Sequence, residues 1–509
     1  MIKTFDPLAR ASATSISFRQ KNNEKGAFAR QEIIVAIAQY QTGKTGIVAN
    51  KPILSSGVSN DEGVRFGFGS PLHLISQKLF PRNKNGAKVP VYFIPLADDS
   101  AAEAATGEIR ISGTATKSFT LYLKYNETAF EAAADACGKI ATIAQVNPAQ
   151  DPRGTDLDGF KEIEIALSIK SAKTESEISD MIVAELDKRT DLPFTYTAGL
   201  DSSSNPIIEL VAKWKGADAN VIAISAKDAN DNAVTTALYG VQITTVGMSG
   251  GVGESDNQTA LDNLTEEYEV TRIISQANDS TNLNQIQEFG EGLRDGQVSR
   301  FIVAYHGYEF PESQTIAGTV DTEALITLAD LRPDDAVNIM IGGNFGTAIR
   351  SLNYTQRDLL LKKGIANVVK TTLGNYILMD CATFYHVAGV SDSIFAFDRD
   401  LCLIGNIAND MRNVFEKSEE WKSVVLVSDS DVTDNYLARS ANDIKGAVNA
   451  RLDLYGRNAW LTDIETAKEN TLVEIDENNH NRVNVNLDGA LSGVLRIGDF
   501  TNSLGFYFG

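Results

Sequence analysis

The sequence predicts an α+β multidomain chain: an α/β-type core, a β-rich inserted domain, and extended N- and C-terminal arms. Three observations predict it. Apolar runs of buried-strand length alternate with amphipathic helical stretches near the start and again in the second half. Between about Gly107 and Gly247 the texture changes to strand-period alternation. The two ends, one polar and one strongly apolar, fit neither pattern.

Residues 1–30 are polar, with one strand-like stretch at Ser15, Ile16, Ser17 and Phe18, and read as an extended arm. Glu32–Ala38 is a continuous apolar run, a buried strand. Pro71–Phe80 reads as a short helix with Pro71 near its start, and Val89–Ile94 as a second strand, giving a βαβ-like opening. Glu108–Ile111, Phe119–Lys124, Lys161–Lys170 and Ile207–Trp214 favour strand. Ile178, Ile182, Val183 and Leu186 share one face of a helix between them. The Gly-rich turn Gly247–Gly253 closes this inserted domain. The α/β pattern resumes with a helix at Gln285–Leu293, strands at Phe301–Tyr305 and Asn338–Ile341, and a helix near Thr355–Lys363 that stops at Gly364. From Asn375 the chain reads strand, helix, strand, helix and then a β-rich tail. The final helix, about Asp434–Tyr455, puts Ile444, Val448, Leu452 and Tyr455 on one face and ends at Gly456. Thr471–Ile475 and Arg482–Leu487 form a hairpin across a turn at Asn478–Asn479, and Ser503–Phe508 is a terminal strand. The expected domains are an arm at 1–30, a discontinuous α/β domain at 31–106 and 254–374, the inserted domain at 107–253, and a C-terminal domain at 375–509.

Composition narrows the function. At ~150 residues per domain, 509 residues suggest about three domains. A chain that is 43% hydrophobic and 22% charged has the balance of a globular protein. The 67 acidic residues outnumber the 46 basic ones, for a net charge of −21. Phosphate backbones and anionic lipid surfaces repel such a chain, which disfavours general nucleic-acid or membrane binding. No apolar run approaches the ~18 residues of a membrane span, and the first residues show no signal-peptide core. Three scattered cysteines, Cys137, Cys381 and Cys402, argue against a disulfide scaffold and fit folding in a reducing compartment. Four histidines leave few candidates for acid–base or metal chemistry.

Each motif with a chemical reading lacks part of its context. Ala38–Thr45 follows a strand and ends in Lys44-Thr45, as a phosphate loop does, but Ala38 replaces the first glycine and no helix-forming stretch follows. Gly247-Met248-Ser249-Gly250-Gly251 matches a nucleophile elbow, with His306 or His386 able to complete a hydrolase triad. An elbow needs a helix immediately after its serine, whereas Gly250, Gly251 and Gly253 intervene, so a flexible inter-domain linker is the preferred reading. Gly67–Pro71 lacks the third glycine of a dinucleotide fingerprint and reads as a turn. Asp429–Asp434 begins like a calcium loop, then has Asp434 where glycine belongs and Ser440 where the bidentate Glu belongs, so it reads as a solvated loop. No catalytic, cofactor or metal site stands out, which favours a structural role.

The ends are more informative. Leu504, Phe506, Tyr507 and Phe508 make the last strand apolar on both faces. Such segments either pair within their own domain or add to the sheet edge of a neighbouring subunit, and the residues leave both open. The hairpin of Val473, Ile475, Val483, Val485 and Leu487 is a plausible acceptor edge.

At this point the order of segments resembles a contractile-tail sheath protein of the Mu-like phage type. The resemblance is carried by Glu32–Ala38 followed by Val64–Leu72, by Val91–Asp99, by Trp214–Asn220, by Gln356–Ile365, and above all by Asn481–Leu487 followed by Gly489–Phe508. It implies a subunit that polymerises in stacked six-fold rings around an inner tail tube, between baseplate and tail terminator proteins. It implies no cofactor, no nucleic-acid partner and no membrane insertion. The arms at Ser15–Phe18 and Leu504–Phe508 would augment the Val473–Leu487 hairpin sheet of neighbours. Contraction would repack subunits as rigid bodies and drive the tube through a cell envelope without nucleotide hydrolysis. The inserted domain would face outward and the C-terminal domain the tube, with Lys445 and Arg451 on the last long helix as tube-facing candidates. The location implied is the virion tail, with assembly in the host cytoplasm. A headless injection device or bacteriocin sheath is the same reading without a capsid; a Ser249 hydrolase is the enzymatic alternative.

Overall fold

The computed structural model describes residues 33–80, 89–125, 163–190, 192–222, 224–253, 255–265, 268–276, 280–294, 303–306, 339–341, 367–370, 376–379, 398–431 and 433–493. The N-terminal stretch Ser15–Phe18, the terminal strand with Leu504, Phe506 and Phe508, the helix near 355–363 and His386 lie outside the described residues.

The chain is α+β. Its first sheet is built on strand β1 (Ile34–Gln39), all six of whose residues are buried. The other strands are β2 (Ile53–Leu54), β3 (Val91–Leu96), β11 (Arg272–Ser275) and β12 (Val303–His306), in the spatial order β12-β11-β1-β3-β2. All pair in parallel except the edge strand β2. A central parallel strand is covered on both faces, which is why Ile34–Ala38 is apolar without alternation. One face packs Val35, Ile37, Ile94 and Ile273 against helices α4 (Gln258–Asp262) and α5 (Ser280–Arg294) through Ala260, Leu261 and Ile286. On the other face lie α1 (Ser59–Phe66) and α2 (Pro71–Leu79), with Phe66 edge-on to Phe93 at 5.5 Å. Pro71 is the first residue of α2, as expected, and Ser70 caps it by accepting from the His73 amide. Helix α1 was not expected. Gly63 inside it and the absence of a side-chain cap weaken the local signal; burial of Phe66 and the bonds that Glu62 accepts from Ser55 and Ser56 secure it instead.

The β-rich part consists of two antiparallel sheets. One runs β10 (Val241–Ser249), β4 (Ala104–Gly113), β8 (Pro206–Lys215), β7 (Phe194–Leu200); the other runs β6 (Ile163–Ile169), β5 (Phe119–Tyr125), β9 (Ile224–Lys227). The expected strands are present. Helix α3 (Glu175–Leu186) adds Ile178, Ile182 and Leu186 to a core with Ile109, Leu121, Leu167, Leu210 and Trp214. Thr174 and Glu177 close a reciprocal capping box at its start. The expected flexible linker at Gly247–Gly253 is overturned. Its first three residues continue β10, with Ser249 paired to Thr106, and Val252 forms an antiparallel bridge with Glu103. Glycine composition suggested freedom, but backbone pairing holds the segment. Strands β13 (Ile339–Ile341), β14 (Asn367–Lys370) and β15 (Tyr376–Met379) form a small antiparallel sheet, with β15 central.

Residues 409–492 are a separate compact unit. Helix α6 (Asp398–Arg412) runs into it. Its main helix is α7 (Ala441–Arg457), which buries Ile444, Val448, Leu452 and Tyr455, the expected face. The expected start and stop are both corrected. Ser440 accepts from the Asp443 amide and the Asp443 carboxylate accepts from the Ser440 amide, so this capping box starts the helix at Ala441 rather than Asp434. Gly456 lies inside the last turn, not beyond it, because α8 (Ile464–Asn470) folds back: a Cβ on Gly456 would lie 2.4 Å from Ile464 Cγ1. Helix α7 is therefore not the final helix. After the short strands β16 (Val425–Leu426), β17 (Ala438–Arg439) and β18 (Leu461–Thr462) comes a two-stranded hairpin, β19 (Leu472–Ile475) with β20 (Val483–Asn486), in the register Val473 to Val485 and Ile475 to Val483. Leu487 falls just past the strand.

Candidate functional site

The hairpin β19–β20 is the site the sequence singled out, and its geometry starts from its turn. Asp476 Oδ1 accepts from the amides of Asn478 and Asn479 at 2.9 and 3.0 Å, and Oδ2 accepts from Asn484 Nδ2 at 3.2 Å. The Asn484 bond, then the two amides, hold the Asp476 carboxyl below its usual range. Asp476 N donates to Arg482 O at 2.9 Å, which sets the register that aligns Val473 with Val485. Asp476 was not among the expected site residues. The local signal for it is the Asp-Glu-Asn-Asn run, a turn composition in which a carboxylate caps its own backbone.

The hairpin is a two-stranded sheet, so each strand has one edge without a sheet partner among the described residues. Leu472 is 54% exposed and Val485 45% exposed, while Val473, Ile475, Val483 and Leu487 are half-buried. A lone two-stranded hairpin is marginal in water, and a third strand or a packed face stabilises it. Open main-chain edges beside exposed aliphatic side chains are what an added strand requires.

The two tube-facing candidates differ. Lys445 is half-buried on the second turn of α7. Arg451 turns inward: its Nε and its terminal nitrogen donate to both oxygens of Asp410 at 2.7 and 2.6 Å, and its side chain is 14% exposed. Tyr455 OH donates to the same carboxylate at 2.6 Å. Burial, then the Asp410 bond, push the Tyr455 hydroxyl far above the usual phenol range. Tyr455 in turn stacks on Trp460 at 5.7 Å. Sequence reasoning missed Asp410, because nothing within α6 marks it as the partner of a residue 41 positions away.

The chemical motifs take ordinary structural places. Ser249 is an exposed residue of β10, and α4 begins nine positions later, so no sharp strand–turn–helix surrounds its hydroxyl. His306 is the last residue of β12. After β1 the chain turns through Gly43 and Gly46, both at positive φ, with no helix to point its N-terminus at an anion. Asp429 Oδ1 accepts from the Asn442 amide at 2.9 Å, which ties the loop to the start of α7. Among the described residues no group of three or more His, Cys, Asp or Glu is placed to hold a metal ion, and no helix is long and apolar enough to cross a membrane.

No family model matches the chain, and no curated protein does. Solved structures do. A sheath tail protein from Listeria innocua aligns over 92% of this chain and 94% of its own, at 12% identity and TM-score 0.43. One from Desulfitobacterium hafniense covers 91% and 94%, at 13% identity and TM-score 0.41. The sheath of an extracellular contractile injection system in the contracted state covers 97% and 98%, at 9% identity and TM-score 0.40. At such identities these are resemblances; the functional reading rests on the residues of this chain.

Proposed function

We propose that the chain is the structural subunit of a contractile tail sheath, polymerising around an inner tube and contracting by rigid-body rearrangement of subunits. The observation that carries this reading is the β19–β20 hairpin, open at both edges among the described residues and lined by exposed Leu472 and Val485. An arm from a neighbouring subunit, Ser15–Phe18 or Leu504–Phe508, adds a strand there and exchanges main-chain hydrogen bonds between subunits. Donor and acceptor are different patches of the same chain, so the contact can run head-to-tail from copy to copy and build rings and helices. The order of segments that resembles Mu-like sheath proteins supports the same reading.

The domain assignment belongs to this proposal: an arm at 1–30, an α/β domain at 31–106 and 254–374, an outer β-rich domain at 107–253, and a tube-facing C-terminal domain at 375–509. The core that runs from Ala105 to Met248 supports the inserted domain. Lys445 is the better tube-facing candidate of the two, since Arg451 is engaged with Asp410. Tail tube, baseplate and terminator proteins are the partners, and the role is non-enzymatic. A headless injection device uses the subunit in the same way.

Negative-stain electron microscopy of the purified protein tests it. Striated hollow tubes or stacked six-fold rings are the expected result. Dispersed monomers at every protein and salt concentration, and also with tube protein added, overturn it. Removing residues 1–20 should leave a folded protein that forms no tubes; normal tubes from that variant would remove the N-terminal arm from the assignment.

A further inference from the structure

The chain crosses between the parallel sheet and the β-rich part twice, outward through 97–103 and back through 250–253. These crossings are zipped to each other and to the end of β8. Glu103 N donates to Val252 O at 2.9 Å, and Val252 N to Glu103 O at 3.2 Å. Gly216 N donates to Glu103 O at 3.1 Å, and Ala217 N to Gly253 O at 2.8 Å. The Asn220 side chain grips Gly251 on both sides, accepting from its amide at 2.7 Å and donating to its carbonyl at 2.8 Å.

The foot of this junction is Asp98. Its Oδ1 accepts from Gln39 Nε2 at 2.8 Å and from the Lys215 amide at 3.2 Å, and its Oδ2 accepts from Thr42 Oγ1 at 2.6 Å. Gln39 Nε2 also donates to Lys215 O at 2.8 Å. Gln39 is buried at the end of β1 and is held in turn by Gln276, whose Oε1 accepts from the Gln39 amide and whose Nε2 donates to Gln39 Oε1, both at 2.8 Å. A second tie runs from Lys213 Nζ to Phe68 O at 2.7 Å. The crossings approach their neighbours too closely for a side chain: a Cβ on Gly251 would lie 2.3 Å from Gly216 O, and one on Gly253 would lie 2.9 Å from Ala102 Cβ.

We propose that this junction is a rigid neck, positioned by Asp98 and Asn220, which makes the β-rich part and the parallel sheet move as one body. A swing between them breaks several of these bonds together, including those of the buried Gly216 and Gly251, each at the cost of a lost hydrogen bond. The neck stands whether or not the chain assembles into a sheath; within a sheath it would carry load from the outer domain to the core without internal bending.

Hydrogen–deuterium exchange of the full chain, read by peptide mass spectrometry, tests it. In the wild-type protein, peptides covering 98–104, 215–220 and 249–253 should be protected like those of β4 and β10. Asn220→Ala, and separately Asp98→Ala, should speed exchange in the neck peptides about tenfold while those of β1 and β5 stay unchanged. Wild-type neck peptides that exchange as fast as the exposed turn at 201–204 would overturn the proposal, as would unchanged protection in Asn220→Ala. If Asp98→Ala fails to fold, the wild-type and Asn220→Ala results decide.

Discussion

Asp410 is fully buried, and two side chains of α7 carry its charge through three hydrogen bonds. Removing Arg451 leaves a carboxylate in the interior without its cation. Arg451→Ala should therefore cost about 3–5 kcal/mol in urea unfolding. Replacing the pair by Asp410→Leu with Arg451→Met should cost less than that single change; an equal or larger loss would show that the charge pair is not the source. Asp228 makes a different case. Its carboxylate accepts from Tyr239 OH at 2.6 Å and from the amides of Asn230 and Asn232, which hold its pKa at about 2 against an ordinary 3.8. Because the folded value is the lower one, this contribution is present above pH 3.8 and is lost as the pH falls toward 2. Glu177, held at about 2 against an ordinary 4.5 first by Lys173, loses its contribution over an overlapping window that opens at pH 4.5. The thermal midpoint should fall through that window, and Asp228→Asn should flatten the fall without abolishing it.

At the scale of elements, α7 shows how a local stop signal yields to packing. Glycine near a helix end ordinarily marks its termination. Gly456 has a different reason to be glycine, since Ile464 of α8 occupies the space a side chain would need. Gly456→Ala should destabilise the protein by about 1–3 kcal/mol despite alanine's higher helix propensity. Adding Ile464→Ala should recover part of the loss, a coupling that thermal melts of the two single variants and the double variant would reveal. Strand β1 is the opposite case, where sequence and structure agree. Its apolar run needs cover on both faces, and a central place in a parallel sheet supplies it.

At the scale of the whole molecule, the net charge of −21 bears on assembly. Copies of such a chain repel one another, so polymerisation depends on local contacts strong enough to oppose that field, and main-chain pairing is insensitive to side-chain charge. The loss of tubes expected on removing residues 1–20 belongs at this scale. It tests whether the strand-forming arm, rather than surface charge pairs, holds subunits together. The rigid neck belongs here too, because a lattice that contracts by rigid-body motion transmits force only through subunits that do not bend.

Strands and helices whose signals are local could be read from the residues alone. The buried strand Ile34–Gln39, the helix face of Ile444, Val448, Leu452 and Tyr455, and the alternating hairpin strands were all legible because periodicity and burial coincide along the chain. As for the candidate site, the hairpin and the composition of its Asp476 turn carry local signals, whereas Asp410 carries none. Asp476 binds the backbone of its own turn, and Asp410 meets Arg451 across 41 positions. The start of α7 was written locally, in the Ser440–Asp443 capping box, whereas helix α1 and the tethering of Gly247–Gly253 were decided by tertiary structure alone. Each depends on a partner brought close by folding: Phe93 for Phe66, and Glu103 and Asn220 for the glycine segment. Composition records how freely a segment bends when it is alone; only the folded chain supplies the groups that take that freedom away.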